Sequence, residues 1–345
     1  MLSPDQIRQY TGIRGGAALI DRYQRGRVAV RGSDRKAFLQ ALLTNDIAAL
    51  APGSGCYAAL LTPLGRMVTD MRVFEIGDAT LLEMPRDLKE TVLTRLDQMI
   101  FSEDVQLGDL TDALGCVSIQ GPMAAAAVGV ALTGGAAGPP TDEIGDLVTW
   151  SAFQNRRVDF DGDVGILARV DEFGLPGFLI FAAPNRLPAV AAAIAASGAV
   201  VPDAEVVETL RVESGTPQFL IDMTDDTIPL EAGIEALAIS STKGCYPGQE
   251  VIVRIRDRGH GRIARKLVGL AIDGNDEPSP GDKLVVDGND VGHVTSAAYS
   301  PALGRAIALG IVHRDHIAPG NRVTVAHGDA ILTATVTVLP FVGNA

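Results

Sequence analysis

Apolar and polar residues alternate from Arg27 to Val30, and Gly32-Ser33-Asp34 then supplies a turn and a helix cap. Phe38, Leu39, Leu42 and Leu43 follow at helical spacing and run into the polar stop Thr44-Asn45-Asp46, so this first stretch reads as strand then helix. Cys56 to Leu61 is an apolar run, Thr62-Pro63-Leu64-Gly65 a turn, and Met67 to Phe74 the return strand of a hairpin. A strand at Thr80 to Met84 precedes Pro85, which opens a helix expected to reach about Met99. Cys116 to Ile119 reads as a strand that turns at Gln120-Gly121-Pro122 into an alanine-rich helix. Gly134 to Pro140 reads as a surface loop, because its Gly/Ala/Pro composition cannot build a core. Short strands are expected near Leu147, Val164 and Phe178, then helices at Asn185 to Ala196 and Ala204 to Glu213.

The pattern changes after Arg262. Strands rich in Val, Ile and Leu are separated there by Gly-Asn, Gly-Asp and Asp-Gly turns, with no helix-length periodic segment. That is the signature of a small β-barrel, expected over about residues 263–341. A domain boundary at this point divides residues 1–262 from residues 263–345.

Composition narrows the classes. The chain is 47% apolar and 21% charged over 345 residues, which suits several buried cores. No run approaches the roughly 18 apolar residues of a membrane span. The opening MLSPDQIRQYTGIRGG lacks the basic-then-apolar pattern of a signal peptide, so a cytoplasmic protein without a membrane partner is expected. A net charge of −13 argues against a nucleic-acid partner. Cys56, Cys116 and Cys245 show no CxxC spacing, which argues against zinc or a disulfide scaffold, and no metal site is expected. His313 and His316 read as surface or strand residues. One segment runs against the global sign: Lys243, Arg254, Arg256, Arg258, Arg262, Arg265 and Lys266 face only Glu250 and Asp257. It is either a solvated basic surface or a funnel for an anionic ligand.

The densest chemistry precedes the boundary. Lys243-Gly244-Cys245-Tyr246-Pro247-Gly248-Gln249-Glu250 resembles the lysine-glycine-cysteine and glycine-glutamine-glutamate signature of the YgfZ branch of the folate-binding aminomethyltransferase-like family. The continuation Val253-Arg254, Arg258-Gly259 and Arg262 is similar to that family's downstream arginine pattern. Four further stretches resemble the wider superfamily, which includes the T-protein of glycine cleavage. They are Phe38 to Asp46, Ile119-Gln120-Gly121-Pro122, the block from Arg211-Val212-Glu213-Ser214-Gly215 to Pro229-Leu230-Glu231-Ala232-Gly233, and Gly292 to Ser296 with Ser300-Pro301.

The resemblance implies an α+β protein. Two interleaved α/β lobes would join the C-terminal barrel in a ring-like, three-domain arrangement around a central cleft for tetrahydrofolate or a one-carbon derivative. It implies a monomeric accessory factor for assembly or repair of iron–sulfur proteins, with client or assembly proteins as partners. The alternative is a folate-dependent aminomethyltransferase or demethylase.

Site residues follow the same resemblance. Asp70 takes the place of the catalytic carboxylate beside N5 of the pterin, and Thr69 that of a preceding aspartate. Tyr57 would offer its ring and phenol to the pterin; read without the resemblance, Asp70 is a strand-end aspartate and Tyr57 a core aromatic. Where the T-protein reads the pterin with a glutamate, this chain has Leu175 in Glu172-Phe173-Gly174-Leu175. Cys245, beside Lys243 and ahead of several arginines, is the second catalytic candidate, as a thiolate able to ligate iron or exchange, or else a buried small hydrophobe. Lys243, Gly244, Tyr246, Gln249, Glu250 and Arg254 are expected to contact the cofactor, with Gly244 and Gly248 holding a tight loop. Arg211 and Glu213 would form an ion pair that braces the cleft. Cys56 and Cys116 are expected to pack in apolar strands.

Overall fold

A computed structural model describes residues 1–133, 146–160, 162–258 and 262–343; the expected loop at residues 134–140 lies outside them. The chain opens with a helix that periodicity does not announce, α1 (Pro4–Gly15). Its signal is local: Ser3 Oγ accepts from Gln6 N, Gln6 Oε1 accepts from Ser3 N, and Pro4 occupies the first turn.

From β1 (Ala18–Asp21) the chain passes directly to β2 (Arg25–Arg31), which belongs to a different sheet. The helix α2 (Arg35–Leu42) follows, then the hairpin β3 (Ser54–Leu61) and β4 (Met67–Glu75), β5 (Thr80–Pro85), α3 (Lys89–Asp97) and β6 (Gln106–Asp109). These strands make an antiparallel sheet in the order β3-β4-β5-β2-β6. Phe38, Leu39 and Leu42 of α2 and Val92 and Leu96 of α3 seal one face of it.

The second sheet combines β1 with β7 (Gly115–Gln120), β8 (Asn155–Phe160), β9 (Asp163–Arg169) and β10 (Gly177–Ala182), in the order β1-β7-β10-β9-β8. The lobes are therefore interleaved in sequence. α4 (Ala124–Leu132) and α5 (Leu187–Ala196) cover its outer face. Residues 147–149, expected as a strand, form a 3-10 turn because the Asp146 side chain accepts from Val148 N and caps it. The two sheets meet through Phe74 and Leu81 on one side and Ile166, Leu179 and Phe181 on the other. Phe74 and Phe181 meet edge to face with centroids 5.8 Å apart.

After α6 (Ala204–Ser214), the short helices α7 (Pro229–Ala232), α8 (Glu235–Ala238) and α9 (Gln249–Val253) lead into the barrel. Its strands are β11 (Arg265–Ile272), β12 (Lys283–Val286), β13 (Asn289–Ser300), β14 (Arg305–His313), β15 (Arg322–His327) and β16 (Ala330–Thr337). They close in the order β11-β14-β13-β12-β15-β16. Val212 of α6 packs on the barrel wall against Leu267, Ala298, Ile307 and Leu309. The barrel thus holds α6 from behind.

Candidate functional site

A cavity of about 610 Å³ lies between the two sheets and the segment that follows α6. Volume and mixed lining are those of a small-molecule site. Tyr57, Asp70 and Arg72 come from the β3–β4 hairpin, Arg22 from the β1–β2 connection, Arg25 from the start of β2, and Glu172 and Phe173 from the β9–β10 turn. Residues 214–221 form a further part of the wall, and among the described residues none of the barrel contributes to it. Phe153, Phe173 and Leu220 all line the cavity, with φ of 60°, 59° and 73°. Left-handed backbone at bulky residues costs about 1–3 kcal/mol each and persists only where the surroundings impose it. A second, more open hollow of about 490 Å³ near Ser54 and Asn155 contains no buried polar atom without a partner among the described residues.

Tyr57 and Asp70 both line the cavity and meet there. Residue 59 lies opposite Asp70 in the ladder, so Tyr57 is its diagonal neighbour on the same face. Tyr57 Oη donates to Asp70 Oδ2 at 2.7 Å. Burial first, and then the Asp70 carboxylate, raise the Tyr57 phenol well above its ordinary range, so it remains a donor. Asp70 is 7% exposed, yet its Oδ1 has no hydrogen-bond partner. A carboxylate oxygen fixed at a cavity and left unpaired suits a ligand N–H, since leaving it so costs about 1–3 kcal/mol.

The sequence reading missed a ladder of charges beside this pair. Glu83 of β5 accepts from Arg25 Nε at 2.7 Å and from Arg72 Nη1 at 3.1 Å. Arg72 Nη2 donates to Glu172 Oε1 at 2.6 Å, and Arg22 pairs with Glu172 Oε2. Ser118 Oγ donates to the same oxygen at 2.6 Å. Burial alone would raise the Glu172 carboxyl, but Arg22 and Arg72 outweigh it and hold it well below the usual range. The only advance signal was charge inside apolar strands: Arg72 in β4 and Glu83 in β5, which face each other in register.

Leu175 is fully packed in an apolar cluster with Tyr10, Ile13 and Leu210 and does not line the cavity. The turn's carboxylate is instead at its first position, Glu172, already saturated by arginines.

The loop at residues 243–250 sits elsewhere than the resemblance implied. Lys243, Gly244, Cys245, Tyr246, Gln249 and Glu250 are absent from the cavity wall, and so is Arg254. Lys243 Nζ donates to Gln40 O at 2.5 Å and also to Leu43 O, where a cation suits the C-terminus of α2. Burial lowers this amine to about 8. Tyr246 is buried in an apolar cluster that includes Phe219 and Ile234, so one layer of side chains separates the loop from the cavity. Gln249 Oε1 accepts from Tyr246 N at 3.3 Å, while Glu250 and Arg254 are exposed. Gly248 needs its glycine: φ is 82°, and an added Cβ would meet Thr62 O at 2.5 Å. Gly244 faces open space. Cys245 is exposed, Cys116 buried and Cys56 half-buried. Among the described residues the basic run does not line the cavity; the arginines in its wall are Arg22, Arg25, Arg72, Arg86 and Arg211.

Arg211 and Glu213 brace the region but not as a pair, because residues two apart on α6 point to opposite sides of the helix. Arg211 donates to Asp222 Oδ2 and to Ser296 Oγ, both at 2.6 Å. Thr295 and Ser296 donate to the other oxygen of Asp222, at 2.5 and 2.7 Å. Glu213 accepts from Tyr10 Oη at 2.8 Å, from Arg14 Nη2 at 2.5 Å and from Ser300. Both residues therefore tie α6 to the barrel.

Two interleaved sheets around a cavity, backed by a closed barrel, define the class. The chain belongs to the GCVT family: residues 3–242 match its GCVT N-terminal domain, and residues 265–343 match the glycine cleavage T-protein C-terminal barrel domain. It is 30% identical over 304 residues to an aminomethyltransferase of Rubrobacter xylanophilus, covering 88% of this chain and 78% of that one. An aminomethyltransferase of Bacillus subtilis is 27% identical over 339 residues, covering 97% and 90%. The crystal structure of the glycine cleavage system aminomethyltransferase T from Bartonella henselae superposes with a TM-score of 0.85 at 22% identity, covering 98% of this chain and 89% of that chain. That likeness is one of fold.

Proposed function

We propose that this chain binds a reduced folate in the cavity between its sheets and serves the assembly or repair of iron–sulfur proteins. The observation that carries the binding is Asp70: Tyr57 fixes one carboxylate oxygen and the other is buried without a partner at the cavity. When bound, a reduced folate supplies N5, an N–H that can carry a one-carbon group. Asp70 accepts from that N–H or holds its proton, Tyr57 keeps the carboxylate in place, and Phe153 and Phe173 exclude water from the ring.

The accessory role rests on the resemblance of the 243–250 loop and on the exposure of Cys245, which leaves a soft ligand accessible to a partner. Gly248 packs the loop onto the Thr62–Gly65 turn, and Lys243 pins it to α2, so the thiol is presented from a fixed base. Leu175, packed away from the cavity, removes one charged partner that tight folate binding would use.

The second reading is aminomethyl transfer, favoured by the relatives' activity and by the availability of Asp70 for proton transfer. Two assays separate them. Cys245→Ser in cells lacking the native protein should fail to restore iron–sulfur enzyme activity, and purified protein should show negligible turnover with glycine-cleavage partners. Full rescue by the serine variant would overturn a role for the thiol, and robust turnover would install the second reading.

A further inference from the structure

Arg22 follows β1 in the cavity wall and is 7% exposed. Three contacts fix it. Its backbone N donates to Cys116 O at 3.1 Å, Nη2 pairs with Glu172, and the guanidinium carbon stands 5.5 Å from the centroid of the Phe173 ring. Held in this way, its Nε–H has no hydrogen-bond partner. Arg27 and Arg35 also bury an unpaired Nε but do not line the cavity, so among the described residues Arg22 is the arginine of this kind that a cavity ligand can meet. Among the described residues, the other unpaired buried atom of a cavity-lining residue is Asp70 Oδ1, on the opposing sheet. Two residues of the wall thus carry, one a donor and the other an acceptor, a polar atom without a protein partner.

We propose that Arg22 is a specificity-determining residue: its Nε–H takes an oxygen of the same ligand whose N–H is taken by Asp70. The cavity then selects molecules carrying both groups. This rests on the reduced-folate reading and adds a second recognition point to it. In a folate the oxygen is either the 4-oxo group of the ring or a carbonyl or carboxylate of the p-aminobenzoylglutamate tail. Both accept a charge-assisted hydrogen bond in the same way.

Fragments distinguish the two oxygens. Tetrahydrofolate, 6-methyltetrahydropterin and p-aminobenzoylglutamate are titrated calorimetrically into wild type, Arg22→Met and Arg22→Lys. Lysine keeps a cation beside Glu172 but has no donor at the Nε position, so it serves even if the methionine variant does not fold. Loss of one hydrogen bond to a charged group predicts tetrahydrofolate weakening about ten- to hundredfold. One fragment should weaken by a similar factor and the other should be unchanged. A role confined to holding Glu172 would instead weaken ring and tail fragments alike, or neither, and either result overturns the proposal. If wild type binds tetrahydrofolate and Arg22→Lys binds it equally well, the folate reading stands and Arg22 is not its reader. If wild type itself binds none of the three, the folate reading falls and this inference with it.

Discussion

Arg72 Nη2 donates to Glu172 Oε1 at 2.6 Å, and this bond joins the two sheets across the cavity between them. Arg72 also donates to Glu83 of its own sheet, so one guanidinium is shared between two buried carboxylates. The hairpin carrying Tyr57 and Asp70 is thereby fixed relative to the turn that carries Phe173.

Replacing Arg72 with methionine leaves Glu172 and Glu83 each short of one cation. Breaking a buried pair from one side costs about 3–5 kcal/mol. Urea unfolding should show a loss of that order for Arg72→Met. The double variant Arg72→Met/Glu172→Gln should lose less than the sum of its single changes, because the orphaned charge is removed.

Acid should weaken the fold through the same ladder. Glu172 and Glu83 are both held below the ordinary glutamate value of 4.5, so the unfolded chain binds their protons first as pH falls. Their stabilisation is fully present above about pH 5 and is lost progressively below 4.5 as their folded values are approached. Denaturant midpoints between pH 7 and 3 should fall steeply in wild type, and Glu172→Gln should flatten the curve. A wild-type midpoint insensitive to pH in that range would contradict the assignment.

The loop glycines should respond unequally. Gly248→Ala imposes left-handed backbone on a residue with a Cβ and drives it into Thr62 O, so a loss above about 1 kcal/mol is expected. Gly244→Ala meets nothing within 4 Å and should stay within about 0.5 kcal/mol of wild type. Thermal unfolding of the two variants side by side checks this.

The hairpin and the barrel were legible because their short apolar strands are bounded by turns rich in Gly, Pro, Asn and Asp. Tyr57 and Asp70 were singled out by the resemblance to the aminomethyltransferase-like family, since the hairpin pattern alone reads them as a core aromatic and a strand-end aspartate. The ladder from Arg25 to Arg22 was not, because its partners lie on strands whose pairing only the folded sheets reveal. α1 was hidden because few of its residues face the core, Tyr10 and Ile13 among them, which leaves a weak apolar stripe. The 243–250 loop was recognisable as a motif, but not the wall of Tyr246, Phe219 and Ile234 that separates it from the cavity.

The most direct measurement is the binding of tetrahydrofolate to wild type and to Asp70→Asn by calorimetry. Asparagine keeps an oxygen for the Tyr57 phenol and turns a donor toward the position of the unpaired Oδ1, so the fold should survive within about 1 kcal/mol. Saturable binding to wild type, weakened about tenfold or more in Asp70→Asn, is the expected result. Equal affinity in the two proteins, or no saturable binding to wild type, would contradict the account of the cavity.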